Sequence, residues 1–275
     1  MNISIDTKKK LSQLDNILQD MGKILVAFSG GVDSTFLLAR AKSILNTHVV
    51  AVTAMSETFP NKEVVHATTL ATSLSVRHIV TQISELQNEN FILNDRHRCY
   101  HCKIGLFEHL KEIASKEGIE YVCDGSNLDD TLDYRPGLSA LKELSIRSPL
   151  LEAKLTKDEI RLLSKQMNLS TWNKPSFACL SSRIPYGVKI TQDKIDIIEQ
   201  AEQFLHSLNL EQVRVRYHDS IARIEVLPSD FIYVINKADM ITDFLRGIGF
   251  KYVTLDLQGY VSGSMNRSLL AVENN

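Results

Sequence analysis

Nothing in this 275-residue chain stays apolar for long. Its densest runs, such as Ile24 to Phe28, have the length of a buried strand. They fall far short of the roughly 20 residues that a membrane-spanning helix needs. Behind Met1, Asn2 and Ile3 and the lysines at 8, 9 and 10 there is no apolar signal-peptide core, so the expectation is a soluble cytoplasmic protein with no membrane partner. An excess of either charge is missing too: 31 Lys+Arg stand against 33 Asp+Glu. Residues 1–190 carry 23 basic and 21 acidic side chains, and residues 191–275 carry 8 and 12. Binding of nucleic acid by bulk positive charge is thereby disfavoured, most of all in the acidic C-terminal part, and no nucleic-acid partner is expected. Cysteine is scarce. In a cytosolic chain of this size, Cys99, Cys102, Cys123 and Cys179 do not make a disulfide framework. A Cys-x-x-Cys pair with a distant single cysteine suggests metal, cluster or sulfur chemistry instead. The one tryptophan, Trp172, reads as a packing anchor.

What is present is a rhythm of short apolar strands and amphipathic helices. Leu11, Leu14, Ile17 and Leu18 recur at helical spacing, Lys23 to Phe28 reads as a buried strand, and Phe36, Leu37, Leu38 and Ile44 mark the next helix. The alternation continues through a strand at His48–Ala54, a helix at Lys62–Leu74, a strand at Val76–Val80, a helix at Cys102–Glu117 and a strand at Ile119–Cys123. Thr156 with Glu159 three residues on is a capping box opening a helix to Met167. Such alternation predicts an α/β fold: a Rossmann-like parallel sheet covered on both faces, over residues 1–188. Residues 170–190 hold Pro175, Pro185 and Gly187 with little periodicity and read as a long ordered loop closing that first domain. Residues 189–275 change rhythm. A helix at Thr191–Leu208, paired strands at Gln212–Tyr217 and Ile221–Val226, a helical stretch from about Ser229 to Ile248 and a strand at Tyr252–Leu257 make a small α+β domain. Cys123 lies in an apolar strand and reads as core.

Ser29-Gly30-Gly31-Val32-Asp33-Ser34 stands between a buried strand and a helix, where backbone N–H groups and the helix dipole hold anions. The alternative is a glycine turn that only packs strand on helix. The Gly-Lys-Ser/Thr ending of a Walker A loop is absent, as is Gly-x-Gly-x-x-Gly. A second block, Asp124-Gly125-Ser126-Asn127-Leu128-Asp129-Asp130, follows the fourth strand and belongs beside the first, because ligands in such sheets bind beyond the carboxyl ends of the strands. Gly125 is placed to approach a nucleotide, and Asp129 and Asp130 either reach Mg²⁺ or form Asx turns. Arg135 either clamps a phosphate or makes a surface ion pair.

Ser29 to Ser34 resembles the PP-loop of ATP pyrophosphatases, a family that includes NAD and GMP synthetases and tRNA thiolases. The resemblance implies that ATP binds through Ser29, Gly30, Gly31, Asp33, Ser34, Gly125 and Arg135, with Mg²⁺ near Asp33, and that AMP is placed on a substrate oxygen while pyrophosphate leaves. Three further segments, Asn173 to Gly187, Val213 to His218 with Ala222 to Glu225, and Gly249 to Leu257, resemble the LarE-type sulfur transferases, so the likeness runs over nearly the whole chain. It implies a mononucleotide substrate, pyridinium-3,5-biscarboxylic acid mononucleotide. Each carboxylate would be adenylylated and AMP then replaced by sulfur, in the making of a nickel-pincer nucleotide cofactor. It also implies a homo-oligomer.

One branch of that family takes sulfur from its own cysteine, carried in the same loop as Cys179 but offset by one residue. The other holds a [4Fe–4S] cluster on three cysteines and transfers a sulfide from the fourth iron. Cys99, Cys102 and Cys179 fit the second, since three thiolates leave one iron of the cube open. Arg96, His97, Arg98, His101 and Lys103 would lower the thiol pKa values. Zinc with His97 or His101, or a redox dithiol, are the other readings of Cys-x-x-Cys. Arg214 and Arg216 suit the substrate's phosphate or pair across strands with Glu225 or Asp219. Ser182, Arg183, Glu202 and Arg223 are candidates to line the same site, with Glu225 or Asp230 as possible divalent-ion ligands. The alternatives in function are a tRNA thiolase, an amidating ligase of the NAD-synthetase type, and a nucleotide-binding module without catalysis.

Overall fold

The computed structural model describes residues 3–131, 136–175, 178–261 and 264–266. In chain order it contains α1 (Ile5–Met21), β1 (Ile24–Ala27), α2 (Val32–Leu45), β2 (Val49–Met55), α3 (Asn61–Ser73), β3 (Arg77–Gln82), α4 (Glu89–Ile92), α5 (Arg98–Lys116) and β4 (Tyr121–Cys123). There follow α6 (Gly137–Glu143), α7 (Pro149–Glu152), α8 (Lys157–Gln166), α9 (Gln192–Ser207), β5 (Val213–His218), β6 (Ile221–Val226), α10 (Phe231–Asn236), α11 (Ala238–Gly247) and β7 (Tyr252–Leu255). Among the described residues no helix is long and apolar enough to cross a membrane. The chain packs as two compact units: Met1–Ser84 with Cys99–Phe177, and Glu85–Arg98 with Ala178–Asn275.

The first unit is built on a parallel sheet in the order β3-β2-β1-β4. Strand periodicity explains why both faces are covered. Ile24 and Val26 of β1, with Val49 and Ala51 of β2, join a core shared with Leu14, Leu18, Phe36 and Leu163. Their neighbours Leu25, Val50 and Val52 point the other way, into a core with Phe107, Leu110 and Val122. Successive residues face opposite sides of a strand, so an unbroken apolar run means two buried faces. From β1 the order runs outward through β2 and β3 on one side and switches to β4 on the other, which opens a crevice beyond the carboxyl ends of β1 and β4. Cys123 is fully buried in this unit, and its surroundings and the Asp124 charge push its thiol far above the ordinary range.

The second unit is a sheet in the order β5-β6-β7, with β5 antiparallel and β7 parallel to β6. Val213, Val215, Ile224 and Val226 pack against Ala201, Leu205, Ile241 and Leu245 of the helices. The helical stretch expected from Ser229 to Ile248 breaks at Lys237 into α10 and α11, with neither glycine nor proline to mark the break.

The structure groups residues differently from the expected split at 188/189. The segment 178–190 packs with 85–98 in the second unit instead of closing the first. Asn94 is the reason. It is fully buried in a left-handed turn, and its side-chain amide donates to the carbonyls of Pro185 at 2.8 Å and Val188 at 2.9 Å. Gly187 and Ile190 donate back to the carbonyls of Asn94 and Ile92. A loop with few apolar residues is ordered because its backbone groups find partners in another loop.

Candidate functional site

The loop Ser29 to Ser34 leaves β1 and enters α2 as expected. Gly30 adopts φ +67°, and a Cβ there would meet the Ala67 backbone at 3.2 Å, so the residue must be glycine on both counts. Gly31 is the N-cap of α2 and brings no side chain to the helix end. The first N–H groups of α2 therefore lack a side-chain acceptor and are open to an anion. The Ser29 and Ser34 hydroxyls lie 3.2 Å apart. Gly125 is pressed against the same turn: a Cβ would meet Ser34 N at 3.0 Å and Asp33 C at 3.4 Å. Its lack of a side chain brings the end of β4 against the start of α2.

Two cavities meet at this loop. One, of about 390 Å³, is polar; Ser29, Gly31, Asp33, Asp129, Lys157 and Lys174 are among its walls. The other, of about 440 Å³, is lined by Phe28, Phe59, Leu106, Phe107 and Leu110 together with Asp124, Gly125 and Ser126. An apolar pocket continuous with an anion-ready loop suits a planar base joined to phosphates. Lys103 Nζ lies 3.2 Å from Asp124 Oδ2, and the Ser148 hydroxyl donates to Asp124 Oδ1 at 2.6 Å.

Asp33 faces the polar cavity. Burial pushes its carboxyl above the ordinary range and the Asp130 charge adds to this, while Lys157 pulls the other way. Lys157 Nζ is 2.5 Å from Asp33 Oδ2. Asp129 and Asp130 line the cavity; Asp130 Oδ2 accepts from Asn127 N at 3.0 Å and Asp129 from Lys157 N at 2.7 Å, while the Asx turns of this block are made by Asp124, which accepts from Ser126 N, and Asn127, which accepts from Asp129 N. Lys174 Nζ reaches Glu63 Oε2 at 2.7 Å and the Gly30 carbonyl at 3.2 Å. Sequence reading missed both lysines. The one signal available for Lys157 was its place beside the capping box of α8. Arg135 lies outside the described residues.

Cys99 and Cys102 are three apart near the start of α5 and so share a face. Cys99 is exposed, while Cys102 and Cys179 are half-buried. None of the four cysteines is in a disulfide. Cys179 opens the 3₁₀ turn Leu180–Arg183, with its Sγ 3.0 Å from the Ser181 hydroxyl. Arg98, the residue before Cys99, is buried and donates to the Ser181 carbonyl at 3.0 Å and to Asn94 Oδ1 at 2.6 Å. The segment that leads to Cys99 and the loop that carries Cys179 are thus tied together inside the second unit.

The remaining expected site residues form a buried ionic layer in that unit. Arg183 is 1% exposed. It holds the Glu202 carboxylate with two bonds of 2.9 and 2.8 Å, and it donates to the carbonyls of Ala178 and Cys179 and to the Ser182 hydroxyl. All three of its guanidinium nitrogens are engaged inside the protein, so it shapes the Cys179 loop rather than presenting a free fork to a ligand. Burial alone would raise the Glu202 carboxyl, but Arg183, Arg214 and the Val215 N–H hold it below the ordinary range. Arg216 bridges Glu225 at 2.7 Å and the Ser182 carbonyl at 3.1 Å.

The fully buried Glu225 also meets Arg223 at 3.2 Å and the Ser264 hydroxyl at 3.0 Å. The divalent-ion role expected for Glu225 is therefore displaced by guanidinium pairing, which is the cross-strand alternative. Asp230 stands apart at the start of α10, near Ser229. Among the described residues no three His, Cys, Asp or Glu side chains form a metal-holding group. Arg214 stacks over Tyr260 at 5.3 Å. Its guanidinium is pushed down by burial and by the Arg183 charge, with Glu202 opposing. Trp172 is half-buried beneath the Lys165 ammonium, 4.3 Å from the ring centroid, and its carbonyl accepts from Arg161 at 2.9 Å.

Comparison with known proteins agrees with this geometry. A PP-loop domain model matches residues 3–133. The chain is 40% identical over 270 residues to the pyridinium-3,5-bisthiocarboxylic acid mononucleotide synthase of Lactiplantibacillus plantarum, covering 97% of this chain and 96% of that protein. It is 41% identical over 264 residues to an uncharacterised protein of Synechocystis, covering 94% and 98%. Similarity to a glutamine-hydrolysing GMP synthase component from Sulfurisphaera tokodaii is lower, at 24% over 80% of this chain and 65% of that protein.

Proposed function

The chain belongs to the LarE-type family of PP-loop sulfur transferases, and on that premise we propose that it uses ATP to put sulfur into the carboxylates of pyridinium-3,5-biscarboxylic acid mononucleotide. A substrate carboxylate oxygen attacks the α-phosphate of ATP, pyrophosphate leaves, and sulfur then displaces AMP to give a thiocarboxylate. The second carboxylate follows the same course. The protein's own part in the first step is electrostatic: the open N–H groups of α2, the serine hydroxyls and the lysines of the polar cavity accept the charge of the departing pyrophosphate. Among the described residues of the second unit Arg183, Arg214, Arg216 and Arg223 gather with Glu202, Glu225 and Asp256, and Arg214 in this layer suits the substrate phosphate.

One observation carries the sulfur half. In addition to a nucleotide loop, the chain keeps three cysteines that are neither core nor disulfide, whereas Cys123 is sealed in the core. Thiol donors of this kind fit an iron–sulfur group. A [4Fe–4S] cluster on Cys99, Cys102 and Cys179 would supply the sulfide from its fourth iron. Mg²⁺ near Asp33 would screen the phosphates. Action in the cytoplasm as a homo-oligomer belongs to the same reading.

The test is anaerobic turnover with ATP and the dicarboxylate mononucleotide, followed by mass spectrometry of chain and product. Thiolated product with an unchanged chain mass and about four irons per chain supports the cluster route. Loss of one H₂S from the chain overturns it in favour of a sacrificed cysteine. AMP release that needs ammonia and no sulfur overturns the sulfur reading altogether.

A further inference from the structure

We propose that Thr53 is a positioning residue for the phosphate loop: its hydroxyl, supported by His78, sets the peptide from which Ser29 leaves the sheet. This rests on the nucleotide reading of that loop and adds to it two residues that lie outside the loop motif.

The β1–β2 ladder stops where the loop begins. Its last backbone rung runs from Phe28 N to the Val52 carbonyl at 2.8 Å. Rungs between parallel strands are evenly spaced, so the next would bring the Ala54 N–H to the Phe28 carbonyl. That rung is not made, and the paired register ends at Ala27 opposite Val52. The Phe28 carbonyl accepts instead from Thr53 Oγ1, at 2.6 Å. Phe28 and Thr53 are each 2% exposed, so water offers that carbonyl little, and leaving it unpaired there is costly. A side chain has taken over from the backbone at the point where the chain must turn off the sheet.

Counting protons gives the direction of each bond. A threonine hydroxyl has one proton and a carbonyl only accepts, so that proton lies toward Phe28. The second contact, 2.8 Å between Thr53 Oγ1 and His78 Nε2, then takes its proton from the imidazole. His78 is therefore the Nε2–H form. Burial pushes its pKa down, which keeps the ring uncharged at neutral pH. The Phe28 ring meets the imidazole edge-on, with centroids 6.0 Å apart and planes at 87°. Thr53 and His78 thus hold both the carbonyl and the ring of Phe28.

The Phe28 carbonyl and the Ser29 N–H share one planar peptide, so fixing the oxygen fixes the direction in which Ser29 sets out. Ser29 opens the loop, its hydroxyl lies 3.2 Å from that of Ser34, and Gly30 follows in its left-handed turn. Donors stabilise the charge of a departing pyrophosphate best when they are already in place. A first peptide free to tilt loosens every donor after it. Thr53 and His78 reach this peptide because β1, β2 and β3 are neighbours, with Ala27 opposite Val52 and Ala51 opposite His78.

The test uses full-length protein with Mg²⁺, and inorganic pyrophosphate and AMP as separate probes read by calorimetry. Thr53→Val keeps the branched shape and removes the hydroxyl. It is expected to bind pyrophosphate roughly tenfold more weakly, the low end of what losing an outer-shell hydrogen bond costs, while AMP binding changes by less than about threefold. A general loss of packing would weaken both probes alike. Thr53→Ser keeps the hydroxyl and is expected to stay within about threefold of wild type for both probes. His78→Leu removes the support and should weaken pyrophosphate binding by roughly threefold, again with AMP little changed. Nitrogen-15 NMR of wild-type protein should show His78 protonated at Nε2. Circular dichroism melts verify folding, and if Thr53→Val does not fold, His78→Leu carries the same comparison. Pyrophosphate binding by Thr53→Val within about twofold of wild type, equal losses for the two probes, a serine variant as weak as the valine one, or an Nδ1–H tautomer at His78 overturns the positioning role and leaves the nucleotide reading standing. Wild-type protein that binds neither probe overturns both.

Discussion

Replacing Arg183 by methionine tests whether the buried ionic layer braces the Cys179 loop. Methionine keeps most of the length and removes every donor. Glu202, itself 6% exposed, is left with the Val215 N–H at 2.9 Å as its remaining hydrogen bond in this layer, and the carbonyls of Ala178 and Cys179 lose their donor. Removing one partner of a buried pair typically costs about 3–5 kcal/mol, because the other charge is stranded. Adding Glu202→Gln removes the stranded charge while an amide oxygen still accepts from Val215 N, so Arg183→Met/Glu202→Gln should recover about 1–3 kcal/mol of that loss. The two compact units need not unfold together, so urea melts should be paired with hydrogen exchange of the α9 amides, residues 192–207. A single variant within about 1 kcal/mol of wild type, or a double variant less stable than the single, would refute the brace.

Other outcomes follow from the same structure. The Glu202 carboxyl is held below its ordinary value of 4.5; its contribution is complete above that value and is lost as pH falls below it, so Glu202→Gln should flatten the acid limb of a pH–stability curve. Gly125→Ala drives a Cβ to 3.0 Å from Ser34 N and should cost about 1–3 kcal/mol and weaken binding of a non-hydrolysable ATP analogue; an unchanged melting temperature would contradict the close approach. Iodoacetamide should modify exposed Cys99 in native protein and fully buried Cys123 only after unfolding, which peptide mass spectrometry resolves.

Much of the fold was legible because it is written in short-range pattern. Ile24 to Ala27 alternates between two cores, so a continuous apolar run announced a strand buried on both faces. Thr156 and Glu159 announced the start of α8, and the capping box forms. The break at Lys237 was not legible, because no residue there has a backbone preference strong enough to mark it. Nor was the pairing of 85–98 with 178–190, which depends on Asn94 turning its amide toward carbonyls about 90 residues away.

The candidate site divides along the same line. The glycines and serines of the phosphate loop, and the three accessible cysteines, were readable from residue type and spacing alone, since local backbone geometry and side-chain chemistry dictate them. The roles of Lys157, Lys174, Arg183 and Glu225 were decided only when the chain closed on itself. Lys157 meets Asp33 across 124 residues and Lys174 meets Gly30 across 144. A charged side chain acquires its meaning from the charge it faces, and in a buried layer or a narrow cavity the folded path of the chain chooses that partner.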